Sequence, residues 1–363
     1  MSDVEFTEQM NKANTFYIEG KYVQAVKIWQ ELLDAGYGVP AYYLAKAYSD
    51  GKGVTEDAEE SFKYLQIAGQ VGYTPAYAML AVCYKYGIGT IENQELAFQY
   101  LTLAAEKGDV DSMYELAKSY KDGCSVEKDE KKALFYMEQS ARLGNVQANV
   151  AMGHYYLDVD DTKAFLYFKR AADGGSAHGL FVAAQLTESG TGTKADPMAA
   201  LVMFRKAADM GNHDALCQMG YIYETGELVE QNFEKAAEFY KKAVDECDIV
   251  ACVNLGLAYA NGRGVRKNMK KAADLFWQAA QENDRAGLYY YGMLFFDGVG
   301  GKKKDYKTAF EYFQRAADGG EGYAYNALSV MYEKGLGTKK NLTLAKKYHI
   351  MAEEAGCVED LGV

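Results

Sequence analysis

Residues 255–265 read LGLAYANGRGV, and the short motifs Lys271-Ala272 and Ala279-Ala280 follow them. In this stretch Tyr259 precedes Gly262 by three positions, and glycine readily adopts the left-handed conformation that ends a helix. The two alanine motifs are separated by about two helical turns, which places them on one face of a second helix. The stretch therefore predicts a unit that consists of a helix, a glycine loop and another helix.

This unit recurs along the whole chain, most often at intervals of 36 residues. The second helix of each unit carries a small residue in a fixed register: Ala25, Ser61, Ala97, Ala133, Ala164, Ala200, Ala236, Ala272, Ala309 and Ala345. A large apolar side chain usually follows one turn later and a small one two turns later, so each unit has an apolar stripe that it cannot bury alone. In the last unit the large position holds His349, which we interpret as a packed core histidine. The fourth unit is shorter and lacks both loop glycines after Tyr156, which predicts a tight turn there.

These units resemble Sel-1-like repeats, a branch of the tetratricopeptide superfamily, and the resemblance covers nine units from about residue 39 to 357. Residues 1–38 contain Gly20-Lys21-Tyr22 without extra loop residues. This first helix pair is closer to the plain tetratricopeptide pattern, and we expect it to cap the array, while residues 358–363 form a C-terminal tail. The resemblance implies an all-α fold, a right-handed superhelical solenoid of about ten antiparallel helix pairs. It also implies a concave face of the kind that relatives use as an adaptor surface.

Composition and charge exclude several classes of protein. The chain has 363 residues, of which 49% are apolar and 25% charged, and this composition is globular. A net charge of −12 argues against a nucleic-acid-binding protein, whose affinity rests on neutralising phosphates. The apolar runs are far shorter than the ~20 residues that a membrane helix needs. The six cysteines form no disulfide framework and the N-terminus has no signal-peptide pattern, so we predict a cytoplasmic protein.

The sequence contains no recognisable catalytic or metal-binding motif. None of the four histidines has a metal-binding spacing, although a ligand site shared by His154 and His178 of adjacent repeats stays open. Cys124 interrupts a loop that we expect to be exposed, without a neighbouring histidine to activate its thiol. Cys83 and Cys252 lie among small inner residues, and we interpret them as core residues. We therefore predict that the protein is not an enzyme and has no cofactor.

Basic residues are concentrated near the C-terminus, where residues 251–350 contain 16 basic and 9 acidic side chains. Many of them fall in equivalent loops, and equivalent loops of a solenoid line up along one edge. We name this predicted surface the basic edge, and its members are Arg263, Arg266, Lys267, Lys302, Lys303, Lys304, Lys339 and Lys340. It favours docking of an acidic protein segment, or it serves solubility alone.

A second stripe on each first helix, rotated by more than about 100° from the buried one, is expected to face the concave groove. In the last four units this stripe is mainly apolar and aromatic, as at interface centres: Tyr221, Val253, Leu257, Tyr289, Met293, Phe296, Tyr323, Asn326 and Val330. In the first three units it combines lysines with aromatic residues, a pattern that suits an acidic peptide: Tyr42, Lys46, Lys85, Tyr86, Tyr114, Lys118 and Lys121.

We thus predict a non-enzymatic scaffold or adaptor that binds a peptide or a protein in its concave groove. The alternative is a ligand-binding or hydrolytic protein that acts on glycan or peptidoglycan fragments, because a cysteine-rich subfamily of these repeats has proposed cell-wall ligands. That subfamily's cysteine pairing is matched here at Cys252, whereas Val244 holds the partner position. A secreted host-interaction factor is a third hypothesis.

Overall fold

The computed structural model describes residues 2–362, which form twenty α-helices and no β-strand. The chain falls into two compact units, of which the first ends at Ser176 and the second begins at Ala177. The first unit contains α1 (Asp3–Ile18), α2 (Tyr22–Asp34), α3 (Pro40–Asp50), α4 (Ala58–Gln70), α5 (Thr74–Tyr86), α6 (Gln94–Glu106), α7 (Val110–Asp122), α8 (Glu130–Arg142), α9 (Val146–Tyr156) and α10 (Asp161–Asp173). The second unit contains α11 (Ala177–Ser189), α12 (Pro197–Asp209), α13 (His213–Thr225), α14 (Phe233–Asp245), α15 (Ile249–Asn261), α16 (Met269–Gln281), α17 (Arg285–Asp297), α18 (Tyr306–Asp318), α19 (Gly322–Lys334) and α20 (Leu342–Glu354). The predicted all-α class and the ten helix pairs are confirmed.

Within each unit, helices pack mainly on the helices that precede and follow them in the chain. The two helices of one repeat form the most extensive contacts, for example α5 with α6 and α15 with α16. This nearest-neighbour pattern is characteristic of repeat proteins, whose stability is approximately a sum of repeat and interface contributions.

Polar and glycine residues fix the ends of the helices. Aspartate or asparagine precedes every second helix from α4 to α20, and its side chain accepts a hydrogen bond from a backbone N–H of the first turn. Seven first helices end at a glycine with φ between 63° and 75°: Gly51, Gly87, Gly123, Gly226, Gly262, Gly298 and Gly335. In the shortened fourth repeat, Asp158 adopts φ 64° in the turn between α9 and α10. The predicted loop positions and the predicted tight turn are confirmed.

The second glycine of the Gly-x-Gly loops allows a close approach between consecutive repeats. Gly264 has φ 68°, and a Cβ atom there would overlap the backbone carbonyl of Phe233, the first residue of α14. In the first unit a Cβ on Gly89 would overlap the carbonyl of Ala58 at the start of α4 in the same way. These loops therefore pack directly on the helix that begins the second half of the preceding repeat.

The apolar stripe of the second helices forms the core. In α10, Ala164, Phe168 and Ala171 have no exposed surface. The large side chain of the stripe packs against a glycine of the first helix, since a Cβ on Gly256 would lie 2.5 Å from the ring of Phe276. Each repeat thus matches a large residue on one helix with a small one on the other.

The prediction of a core histidine in the last repeat is wrong. The His349 side chain is 48% exposed, and its Nε2 atom lies 3.5 Å from Oε1 of Glu353. Within residues 2–362, α20 is the last helix, so no later helix of this range packs over His349. None of the helices in residues 2–362 is both long and apolar enough to cross a membrane.

Candidate functional site

The first unit contains a cleft of about 460 Å³ between α5 and α7. Its floor is formed by Ala97, Phe98 and Leu101 of α6. Ala78 and Val82 of α5 line the adjoining wall, and the Val82 side chain is exposed. The centre of the cleft is therefore apolar and open to solvent.

Lysine and aromatic side chains line one end of this cleft. Lys85 and Tyr86 lie at the C-terminal end of α5, and the Lys85 Nζ atom is 5.3 Å from the centre of the Tyr86 ring. On α7, Lys118 Nζ lies 2.7 Å from Oε1 of Glu115 and 5.2 Å from the centre of the Tyr114 ring. The hydrogen bond to Glu115 raises the pKa of Lys118. Both cations are therefore held over aromatic rings beside the apolar floor.

Carboxylates line the other end, at the N-terminus of α7. Asp109 caps α7 by accepting a hydrogen bond from the backbone N–H of Ser112 at 2.8 Å. Asp111 accepts one from Nδ2 of Asn145, also at 2.8 Å. Both aspartates line the cleft, and a third carboxylate, that of Glu115, lines it beside Lys118.

The lysine-bearing stripe predicted for α3, α5 and α7 is only partly assembled at this site. Lys85, Tyr86 and Lys118 line the cleft, whereas the other four predicted residues do not: Tyr42, Lys46, Tyr114 and Lys121. Tyr42 is half-buried and packs edge-on against Tyr43 and Tyr73, with Lys46 Nζ 6.0 Å from its ring centre. Lys121 is exposed.

Four residues of the stripe predicted for the second unit are buried and cannot face a partner. Val253, Tyr289, Phe296 and Asn326 are each at most 6% exposed. The Tyr289 ring stacks 5.8 Å from that of Tyr323, and burial raises the pKa of its hydroxyl. Asn326 donates a hydrogen bond from Nδ2 to the backbone carbonyl of Glu359 in the C-terminal tail. We correct the prediction for these four residues, and the accessible remainder stays a prediction: Tyr221, Leu257, Met293, Tyr323 and Val330.

Most residues of the basic edge are exposed, but three are held by neighbouring side chains. Lys302 is half-buried, with Nζ 5.0 Å from the centre of the Tyr291 ring. Arg263 lies over the Phe233 ring at 5.8 Å, and its Nη1 atom is 3.8 Å from Glu224. The exposed members without such an aromatic contact are Arg266, Lys267, Lys303, Lys339 and Lys340, and Lys304 lies over Tyr306. The alignment of these loops along one edge stays a prediction.

The six cysteines are free thiols. Cys83 and Cys252 are buried, as predicted for core residues, and burial raises the pKa of Cys252 to about 11. Burial likewise raises the pKa of Cys217 to about 12. Cys124 is exposed, as expected, and it lines the cleft beside Ser125.

Comparison with known families identifies the repeats. The Sel1 repeat model matches nine segments: residues 41–73, 74–109, 110–145, 147–176, 177–212, 213–246, 249–284, 285–321 and 322–357. The chain belongs to the Sel1 repeat family. The Sel1 repeats therefore begin with α3, and the first helix pair lies outside the matched segments.

Two solved structures resemble this Sel1 repeat protein. The protein c5321, described as a protective antigen of uropathogenic Escherichia coli strains with an SLR fold, is 24% identical, with 96% of this chain and 84% of that one covered and a TM-score of 0.71. A Sel1 repeat protein from Oxalobacter formigenes is also 24% identical, with 87% and 93% covered and a TM-score of 0.62. At these identities the likeness shows the fold alone. No curated protein matches the sequence.

The sequence reasoning missed the residues that make the cleft. The predicted stripe consists mainly of large side chains, whereas the small residues Ala78 and Ala81 line the cleft. It also omitted Asp111 and Glu115, which lie one helical turn apart on α7. That spacing on one helix, with Lys118 three residues later, is the signal that indicates a mixed-charge wall.

Proposed function

We propose that this Sel1 repeat protein is a non-enzymatic adaptor that binds a polypeptide segment in the cleft between α5 and α7. The Sel1 repeat fold commonly serves protein interaction, and its family is generally non-catalytic. The observation that carries the proposal is the cleft itself, with an apolar floor between a lysine end and a carboxylate end. The free thiols support a reducing compartment such as the cytoplasm.

The size of the cleft favours one or two side chains of a peptide. A volume of about 460 Å³ accommodates a large apolar side chain and its flanks, but not a folded domain. Binding energy at protein interfaces is concentrated in such buried anchors. The ligand is thus a segment with one apolar anchor that lies on Phe98 and Val82.

The charges of the cleft define the flanks of that anchor. Lys85 favours an acidic residue on one side, where Lys118 is already paired with Glu115, and Asp109 and Asp111 favour a basic residue on the other. A segment with the sequence pattern acid, apolar, base therefore binds in one orientation. This pattern refines the acidic peptide that the lysines alone predict.

Short labelled peptides with a leucine or phenylalanine between acidic and basic flanks test this proposal by fluorescence anisotropy. Val82→Glu places a charge in the apolar centre and is expected to weaken binding more than about tenfold, or ~1.4 kcal/mol. Lys85→Glu is expected to weaken binding as well, whereas Lys121→Glu, on the same surface stripe but outside the cleft, leaves it unchanged. Val202→Glu on α12 is the matched control, because that valine is also exposed.

Two outcomes contradict the proposal. Peptides of this pattern that show no binding at all exclude the cleft as a site for them. Binding that survives Val82→Glu but is lost with Lys121→Glu locates the peptide on the stripe and not in the cleft.

A further inference from the structure

A residue at the start of each of several repeats contacts the residue that caps the first helix of the following repeat. The chemistry of this contact differs from one repeat to another. In the first unit, Asp111 accepts a hydrogen bond from the amide of the capping residue Asn145. In the second unit, the Arg285 guanidinium lies 3.9 Å from the carboxylate of the capping residue Glu321. Each of these pairs joins one carboxylate to one amide or guanidinium group.

The equivalent contact between α13 and α15 joins three side chains of types that can bind metal ions. The His213 Nδ1 atom lies 3.1 Å from Oδ2 of Asp248, which caps α15. The same nitrogen lies 3.6 Å from Oδ1 of Asp214. The donor atoms of these three residues all lie within 4.8 Å of one another. A ring nitrogen and two carboxylates thus converge on one point.

Burial and helix capping fix the position of the Asp248 carboxylate. The Asp248 side chain is only 6% exposed, and its Oδ1 atom accepts the backbone N–H of Ala251 at 2.6 Å. Oδ2 is therefore held toward the imidazole. His213 and Asp214 are more exposed, so an ion has access from solvent.

The charge balance of the cluster favours a cation. Two carboxylates face one imidazole here, whereas one carboxylate faces a guanidinium at the Arg285 position. Imidazole together with carboxylate is a ligand set for Zn²⁺ and related transition metals, while Mg²⁺ and Ca²⁺ prefer oxygen ligands alone. Three protein ligands leave one tetrahedral position for water.

We propose that His213, Asp214 and Asp248 bind a divalent transition-metal ion of the Zn²⁺ type that links two neighbouring repeats. His213 and Asp214 belong to the repeat at residues 213–246, and Asp248 lies directly before the repeat at residues 249–284, where it caps α15. The ion crosslinks the starts of α13 and α15, so it stabilises this part of the second unit. Sequence spacing does not reveal the site, because Asp248 lies 35 residues from His213.

The full chain, freed of metal with a chelator, is titrated with ZnCl₂ and, separately, MgCl₂ in a calorimeter, and its melting is followed by circular dichroism. We expect Zn²⁺ to bind with a stoichiometry of one per chain and to raise the melting temperature, and MgCl₂ to do neither. His213→Gln and Asp214→Asn are expected to abolish both effects. Asp248→Asn is expected to do so as well while retaining the helix cap, because asparagine caps helices as well as aspartate.

His349→Ala is the matched control, since His349 is an exposed histidine that faces only one carboxylate, Glu353. It should bind Zn²⁺ like the unaltered chain. The absence of stoichiometric Zn²⁺ binding overturns the proposal, and so does unchanged binding in His213→Gln. Asp214→Asn alters a partly exposed side chain and keeps the test valid if another variant does not fold.

Discussion

The two units present different side chains at one equivalent position of their first helices, five residues before the loop glycine. In the first unit this position holds Lys46, Val82 and Lys118, and in the second it holds Tyr221, Leu257, Met293 and Val330. The same helical frame thus carries two lysines and one valine at this position in α3, α5 and α7 of the first unit, and apolar or aromatic residues in α13, α15, α17 and α19 of the second. One fold therefore supplies two surfaces of different chemistry.

The residue four positions earlier differs in size between α5 and α17. Ala78 holds this place in α5 and lines the cleft. Tyr289 holds it in α17, where its ring packs near Phe313 and Tyr323 and is only 4% exposed. The comparison shows that a small residue leaves space for a ligand, whereas a large one fills that space and joins the core.

Tyr289→Ala is expected to have the largest effect. Removing a buried aromatic side chain leaves a cavity, and the free energy of unfolding should fall by about 3–5 kcal/mol. Urea unfolding followed by circular dichroism measures this change. Tyr221→Ala removes an aromatic residue that is 48% exposed, and it should change the free energy of unfolding by less than about 0.5 kcal/mol. Equal losses of unfolding free energy in the two variants would mean that Tyr289 contributes no more to the core than the exposed Tyr221.

Ala78→Tyr places in α5 the large residue that α17 has at the equivalent position, Tyr289. The tyrosine should occupy the cleft and weaken binding of the acid, apolar, base peptide by more than about tenfold, or ~1.4 kcal/mol. The helical content should not change, because the cleft has room for the ring. Anisotropy with the labelled peptide gives the affinity, and Val202→Tyr on the exposed face of α12 is the control. Peptide binding that withstands Ala78→Tyr would place the ligand outside the cleft.

The sequence predicts the helices, their ends and the buried stripe well, because these depend on local rules. Gly262 ends its helix and Phe276 is buried, as the register requires. The fate of the second stripe depends instead on which side chains of neighbouring repeats fill the space. Tyr289 and Asn326 share the predicted stripe with Met293, yet contacts with Tyr323 and with the tail bury the first two.

For the same reason, a periodic sequence pattern does not predict the exposure of residues at the end of the array or the unfilled space of the cleft. His349 has the register of a core residue but lies on the last described helix, where no later helix of residues 2–362 packs on it, so it is exposed. The small side chain of Ala78 leaves space that becomes part of the cleft, whereas the predicted stripe consists mainly of large side chains. Pairs such as His213 with Asp248 join positions that are far apart in sequence, and no local motif marks them.

Asn326→Ala is expected to have the smallest effect and tests how the C-terminal tail covers the second unit. The amide of Asn326 donates a 2.8 Å hydrogen bond to the carbonyl of Glu359. Loss of a hydrogen bond of this kind costs about 1 kcal/mol. A chain that ends at Cys357 lacks the acceptor, so in that chain the same substitution should cost less. The difference between the two costs, measured by urea unfolding as a double-mutant cycle, gives the coupling of Asn326 to the tail. If the cost is the same in both chains, Asn326 stabilises α19 without the tail, and its burial comes from the repeat itself.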